Sequence, residues 1–253
     1  MSKYDLVDKP HCIYNVDEKG ACPDKTPYLR GPSVCWKCCW YADTTFSSLF
    51  RTRMRSELLD NCTAGCDGCV SESGWSNTEI FKMYIKHHFM KYVQGLSSDH
   101  KILIIYDGHK SHVSLELIDW AKEHNIVLFV LPAHTSHLFH PLDVGCFRPL
   151  NRILNNSIHS YMRLNKQQLG SLASKAYVQA LSAENLKSAF RKTGIYPLDA
   201  KVIDPQVLMP STINCNKENV QQFPLKNTLL WTLIKEMKII LWLTQMIIIN
   251  FAK

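Results

Sequence analysis

Two short apolar runs stand out along the chain, 102–106 (ILIIY) and 126–131 (IVLFVL), each of strand length and each ended by turn residues. Between them, Ser114 to Glu123 places Leu115, Leu117, Ile118 and Ala121 at helical spacing, an apolar stripe beneath a polar face. The pattern predicts a β-α-β unit with a parallel strand pair. Asp107 directly follows the first strand, at the carboxyl edge of the sheet, where sites in parallel sheets gather. Asp143 follows the second strand after a polar, His-rich turn and opens a new helical pattern, so the two carboxylates are expected to share one edge.

The same reading extends outward from this unit. Cys12 to Val16 forms a short apolar segment that delivers Asp17 at its end, with Gly20 suited to a following turn. Ser76, Asn77 and Thr78 can start a helix in which Ile80, Phe81, Tyr84, Ile85, His88 and Phe89 make the buried face. Beyond Asp143, a helix over 147–164 carries Leu150, Ile153, Leu154, Ile158 and Tyr161 on one face, and a second covers 172–181. Ser182 caps a third, with Glu184 in its first turn, Leu186, Ala189 and Phe190 buried, and Gly194 at its stop. Asp204-Pro205 marks a domain end, which gives a domain over 1–205 and a tail over 206–253.

Two stretches resist this reading. Residues 21–70 hold seven of the ten cysteines, show no sustained period and include the basic run RTRMR at 51–55. The pairs Cys35/Cys38 and Cys66/Cys69 superficially suggest a zinc clip, with Cys39 and Cys62 nearby, but 27 residues separate the pairs. In the tail, the apolar positions 239–251 are too few to span a bilayer, and extending them toward Leu229 imports Lys235, Glu236 and Lys238. An amphipathic or disordered extension is therefore expected there in preference to a membrane helix.

Composition narrows the class. With 253 residues and 46% hydrophobic content, the chain can bury one core of ordinary size. A net charge of +7 mildly favours a polyanionic partner. The opening MSKYDLVDKPH has no apolar signal-peptide core, so an intracellular chain with reduced thiols is expected. Arg51, Arg53, Arg55, Arg148, Arg152, Arg163, Arg191 and Lys192 can contact a phosphate backbone, and serve equally as a solvated face.

The chemistry rests on three aspartates at the ends of apolar segments, Asp17, Asp107 and Asp143. Phosphodiester cleavage needs no protein nucleophile when divalent cations hold the scissile phosphate, and hard Mg²⁺ or Mn²⁺ ions prefer carboxylate ligands. Singly, a strand-terminal aspartate is more often a turn former or helix cap. The histidines at 134, 137 and 140, and those at 109 and 112, recur every three residues in turns, a spacing that favours hydrogen bonding or phosphate contact over soft-metal binding.

A family resemblance gathers these signals. YNVDEKG (14–20), SESGWSNTEIF (71–81), ILIIYDGHKSH (102–112), VLPAHTSHLFHPLDVGCFRPL (130–150) and AFRKTGIYPLDA (189–200) resemble, in order, the pogo, Tigger and jerky group of DDE-superfamily transposases. The resemblance implies a ribonuclease H-like α/β fold, a mixed central sheet flanked by helices. It also implies catalytic, metal-binding aspartates at Asp17, Asp107 and Asp143, the last two with 35 residues between them. Mg²⁺ or Mn²⁺ as cofactor, DNA as partner and a nuclear location follow from it, with strand nicking by water and transfer by a DNA 3′ hydroxyl as the chemistry. A non-catalytic DNA- or chromatin-binding protein and an inactive transposon remnant are the alternatives.

This chain departs from the group's pattern in three places. It has His140 where the group usually has Gln before PLD. Members generally carry helix-turn-helix modules ahead of the catalytic domain, whereas Asp17 lies near the start here, so sequence-specific end recognition is expected to be lost. The group places strands with an Asn-x-x-Gly and Pro-Pro segment within 21–70. Codons compatible with CWKCCWYADTTFSSLF, read one nucleotide along, yield the similar AGNVVGMQTPPFLLF. This suggests an internal frameshift that would leave two strands beside Asp17 missing or mispaired.

Overall fold

The computed structural model describes residues 1, 4–21, 34–38, 46–50, 59–71, 76–93, 100–109, 112–159, 166–204 and 207. The chain divides into two compact units, Met1–Asp199 and Ala200–Lys253, and the described strands and helices all lie in the first. The expected tail, apart from Val207, the basic run at 51–55 and Arg163 fall outside the described residues. No helix among the described residues is long and apolar enough to cross a membrane.

The predicted β-α-β unit forms the centre. Strands β1 (Ile13–Asn15), β6 (Ile102–Tyr106) and β7 (Ile126–Val130) are parallel, in the order β1-β6-β7. All five residues of β6 are buried, as a strand covered on both faces must be, which is why it reads as a continuous apolar run. Its alternate side chains serve two cores. Ile102, Ile104 and Tyr106 pack with Tyr14, Val16, Leu117 and Ala121, and with the buried face of α1 (Thr78–Met83) and the π-helical Tyr84–Phe89 that continues it into α2 (Met90–Tyr92). Leu103 and Ile105 face the other way, against Leu6, Ile13, Leu131 and Phe190.

A second sheet continues the first. Strands β2 (Asp17–Ala21), β3 (Val34–Cys38), β4 (Phe46–Phe50) and β5 (Asp67–Ser71) lie in that order, antiparallel from β2 to β4 and parallel between β4 and β5. Only Val16 separates β1 from β2, and its N–H extends the β1–β6 ladder to the Ile105 carbonyl at 2.9 Å. A mixed sheet, antiparallel from β2 to β4 and parallel at β5, thus joins the parallel strands β1-β6-β7 through Val16. This is the ribonuclease H-like α/β class that the sequence predicts.

Several expectations are met, and others are corrected. Asn77 caps α1, accepting the Ile80 N–H at 2.9 Å, and Ile80, Phe81, Tyr84, Ile85, His88 and Phe89 are all buried. Ser114 caps α3 (Leu115–Glu123) and Ser182 caps α7 (Ala183–Lys192). Leu115, however, is 72% exposed: it is the first residue of its helix, and only Leu117 and Ala121 of the stripe are fully covered. Gly20 is not in a turn, because β2 runs on past it and pairs Gly20 with Cys35. In the stretch where a frameshift would leave strands missing or mispaired, the backbones of β3 and β4 pair with β2 and with each other.

The third core closes the helical half. Helices α5 (Phe147–His159), α6 (Lys166–Ala180) and α7 pack Leu150, Leu154, Ile158, Ala173, Ala176, Tyr177 and Ala189 around Leu142 and Cys146 of the π-helical turn Leu142–Cys146. That turn follows the short α4 (Ser136–Phe139) and carries Asp143. At Gly145 it approaches α7 so closely that a Cβ there would sit 2.5 Å from the Cβ of Ala189.

Candidate metal centre

The three predicted aspartates reach the site from three elements. Asp17 opens β2, Asp107 follows β6, and Asp143 lies in the first turn of the π-helical segment. Pro141 starts that turn without an N–H of its own. The next donor, Leu142 N–H, would be orphaned, and it is accepted at 3.0 Å by Oδ1 of the buried Asn15 from β1. Lys19 adds a second tie, its Nζ sitting 5.3 Å from the ring centroid of Phe147. These contacts register the Asp143 turn against the Asp17 strand.

Asp17 and Asp143 meet. With His140 they form a group whose ligand atoms all lie within 4.8 Å of one another, the one such group of three among the described residues. Asp17 is largely buried and Asp143 exposed, so the group opens to solvent on the Asp143 side. Burial raises the Asp17 carboxyl well above the ordinary carboxylate range, and the negative charges of Asp143 and Asp107 raise it further against the Glu18 N–H, which donates to Oδ1 at 2.6 Å. Two carboxylates crowded in this way suit a divalent cation, which would take oxygen ligands from both and relieve their repulsion.

Asp107 lies outside that group of three. It is near enough for its charge to act on Asp17 and His140, but its Oδ1 is 2.6 Å from Nδ1 of His112 and also accepts the His109 N–H at 3.3 Å. His112 is buried, stacked on Phe81 with ring centroids 4.4 Å apart, and its Nε2 lies 3.2 Å from Oε1 of Glu18. Burial pulls the imidazole pKa down, yet hydrogen bonds to Asp107 and Glu18, together with their charges, push it up to about 9. Both carboxylates thus favour its protonated form. Burial opposes ionisation of Asp107, but the His112 hydrogen bond and charge prevail and hold its pKa below the ordinary value.

Sequence reasoning found the aspartates and missed what holds them. Glu18 stood inside the quoted YNVDEKG, and of the hydrogen bonding or phosphate contact expected of His112 and His140 the structure shows hydrogen-bonding partners for both. Asn15, a polar residue fully buried in a strand between apolar neighbours, stood inside the same motif, but nothing local announced its role. No cysteine joins a three-ligand cluster among the described residues; the side chains of Cys35, Cys38 and Cys39 fall outside them. Arg148, Arg152, Arg191 and Lys192 are exposed.

Comparison with known proteins supplies the family. Residues 53–193 match the family described as DDE superfamily endonuclease, a stretch containing Asp107, His112, His140, Asp143 and Gly145. Over 139 residues, 53% of this chain, the sequence is 35% identical to a protein of Cochliobolus lunatus named MFS-type transporter clz9, of whose length it spans 15%. Among solved structures, the catalytic domain of Mos1 mariner transposase is similar at a TM-score of 0.40 and 13% identity, covering 76% of this chain and 87% of that one. The same domain solved with raltegravir and Mn gives 0.37 at 13% identity, covering 76% and 88%. At those scores the structural likeness is loose, and the assignment rests on the sequence match, which takes in more than half of the residues: the chain belongs to the DDE superfamily endonucleases.

Proposed function

We propose that this chain is a transposase-derived endonuclease of the pogo, Tigger and jerky type that acts on DNA in the nucleus, with Asp17, Asp107 and Asp143 as its catalytic, metal-binding carboxylates. The observation that carries the reading is the meeting of Asp17 and Asp143 beside a fully buried histidine, at a strand line and a helix turn far apart in sequence. Asp17 and Asp143 would hold Mg²⁺ or Mn²⁺, with Asp107 adjoining. When bound, such ions activate the attacking oxygen and stabilise the leaving one. The chain itself orients Asp17 through the Glu18 N–H, anchors the Asp143 turn on Asn15, and favours the protonated form of His112 beside Asp107. The exposed Arg148 and Arg152, on the helix that follows Asp143, suit contact with a phosphate backbone.

A plasmid-nicking assay with Mg²⁺ or Mn²⁺ tests this. Nicking is expected with either ion and is expected to disappear in Asp143→Asn and Asp107→Asn; activity unchanged by both substitutions would refute the assignment. One observation favours a second reading, a DNA-binding protein without catalysis. Asp107 is held by His112 at 2.6 Å and lies outside the Asp17–His140–Asp143 group. On that reading, salt-sensitive DNA binding persists in every aspartate variant while nicking is absent throughout.

A further inference from the structure

His140 looks at first like a third metal ligand. It is fully buried, its Nδ1 lies 3.5 Å from Oδ2 of Asp17, and that nitrogen has no well-formed hydrogen bond. The hydrogen-bond network on the far side of the ring decides otherwise. Asn15 Oδ1 accepts the Leu142 N–H at 3.0 Å, and its Nδ2 donates to the Ile105 carbonyl at 2.9 Å. Turning the amide over would set oxygen against oxygen and N–H against N–H, so its orientation is dictated by two backbone groups. The remaining Nδ2 hydrogen points at His140 Nε2, 3.2 Å away. Nε2 must therefore accept. A neutral imidazole that accepts at Nε2 carries its proton on Nδ1, whose side of the ring meets Oδ2 of Asp17 at 3.5 Å and the Val16 backbone.

We propose that His140 is a positioning residue, a neutral Nδ1–H donor locked in one tautomer by Asn15, which aims the Asp17 carboxylate at the Asp143 side of the site and is not itself a ligand. A ligating Nδ1 would need a lone pair where the network places a hydrogen. Charging the ring is disfavoured by the same contact, since Nε2–H would face the Asn15 amide hydrogen. The device needs one acceptor toward Asn15 and one donor toward Asp17. A glutamine side chain also offers both, with its oxygen and its amide hydrogens. Leucine offers neither.

Two measurements on the full chain test this. The first uses metal-free protein labelled with ¹⁵N-histidine, with long-range proton–nitrogen correlation at neutral pH and the His140 signals identified by their loss in His140→Gln. A protonated Nδ1 and bare Nε2 are expected. A bare Nδ1, or a doubly protonated ring, overturns the proposal. The second is a calorimetric Mn²⁺ titration, and this arm rests on the reading of Asp17 as a ligand. His140→Gln is expected to bind within about threefold of the wild type, and His140→Leu about 10- to 100-fold more weakly, the usual cost of removing a group that orients a ligand. Leucine binding as well as the wild type, or glutamine binding as poorly as leucine, refutes the donor role. If the wild type binds no Mn²⁺, the metal reading of Asp17 falls, while the tautomer still decides for or against His140. Should His140→Leu fail to fold, the tautomer measurement remains, since it needs only the wild type and the glutamine variant.

Discussion

Gly145→Ala subjects the placement of Asp143 to a steric test. A Cβ at position 145 would lie 2.5 Å from Ala189 Cβ, 2.9 Å from its Cα and 3.4 Å from its N. Carbon atoms pack best at about 3.5 to 4.0 Å, so the contact is short by about an ångström or more. Ala189 has no rotamer with which to yield, and two of the three atoms belong to the α7 backbone. Relief therefore requires α7 and the Asp143 turn to separate. Overpacking of this kind costs about 1 to 3 kcal/mol, and the immobile partner puts this case at the upper end. Gly145 does not have a positive φ, so alanine recovers about 0.5 to 1 kcal/mol of the backbone freedom that glycine loses in a helix. The net expectation is a loss of about 2 kcal/mol, a substantial part of a typical domain's stability of about 5 to 15 kcal/mol. Urea unfolding of the wild type, Gly145→Ala, Ala189→Gly and the double variant measures it. The double variant removes the 2.5 Å clash but leaves those with the α7 backbone, so a coupling energy of about 1 kcal/mol and incomplete recovery are expected. A Gly145→Ala protein as stable as the wild type would show that the turn and α7 are not in the contact described.

Three further outcomes follow from the charges and from 21–70. The Asp17 carboxyl is raised in the folded state, so its ionisation opposes folding: the stability it allows is complete below its unfolded value near 3.8 and declines as pH rises above it. Asp17→Asn is accordingly expected to raise the melting temperature of the metal-free protein at pH 7 while abolishing stabilisation by Mn²⁺; a lowered melting temperature would count against the buried, crowded carboxylate. The partners of His112 instead favour its charged form, with a folded pKa raised from 6.5 to about 9. Its contribution, up to about 3 kcal/mol, is full below pH 6.5 and lost as pH rises toward 9, so metal-free wild type should lose stability across that window relative to His112→Gln, and parallel stability profiles for the two proteins would refute the ion pairs. Finally, sequencing the coding nucleotides across 21–70 decides the frameshift reading, which requires that the shifted frame spell a segment like AGNVVGMQTPPFLLF.

Much of the fold was legible because local pattern and tertiary burial agree. The strand at 102–106 reads as apolar without alternation because both its faces are covered, and the helix from Thr78 shows every buried position at helical spacing because one face lies on the sheet. The caps at Asn77, Ser114 and Ser182 were legible for an equally local reason: each satisfies N–H groups of its own helix. Leu115 misled because apolar character alone does not bury a residue in a first turn. The register of β3 and β4 was not legible because pairing in a sheet is a property of partners. Nothing within Val34–Cys38 announces β2 on one side and β4 on the other.

For the site, the sequence by itself determined that Asp17, Asp107 and Asp143 follow the central apolar segments, because a side chain's place beyond a strand is a local fact. It could not say that Asp143 would stand beside Asp17 while Asp107 turned to His112. That choice depends on hydrogen bonds between residues 90 to 127 positions apart, from Asn15 to Ile105, His140 and Leu142 and from Glu18 to His112. Only the packed tertiary structure brings such donors and acceptors together out of water, and burial then obliges each to find its partner.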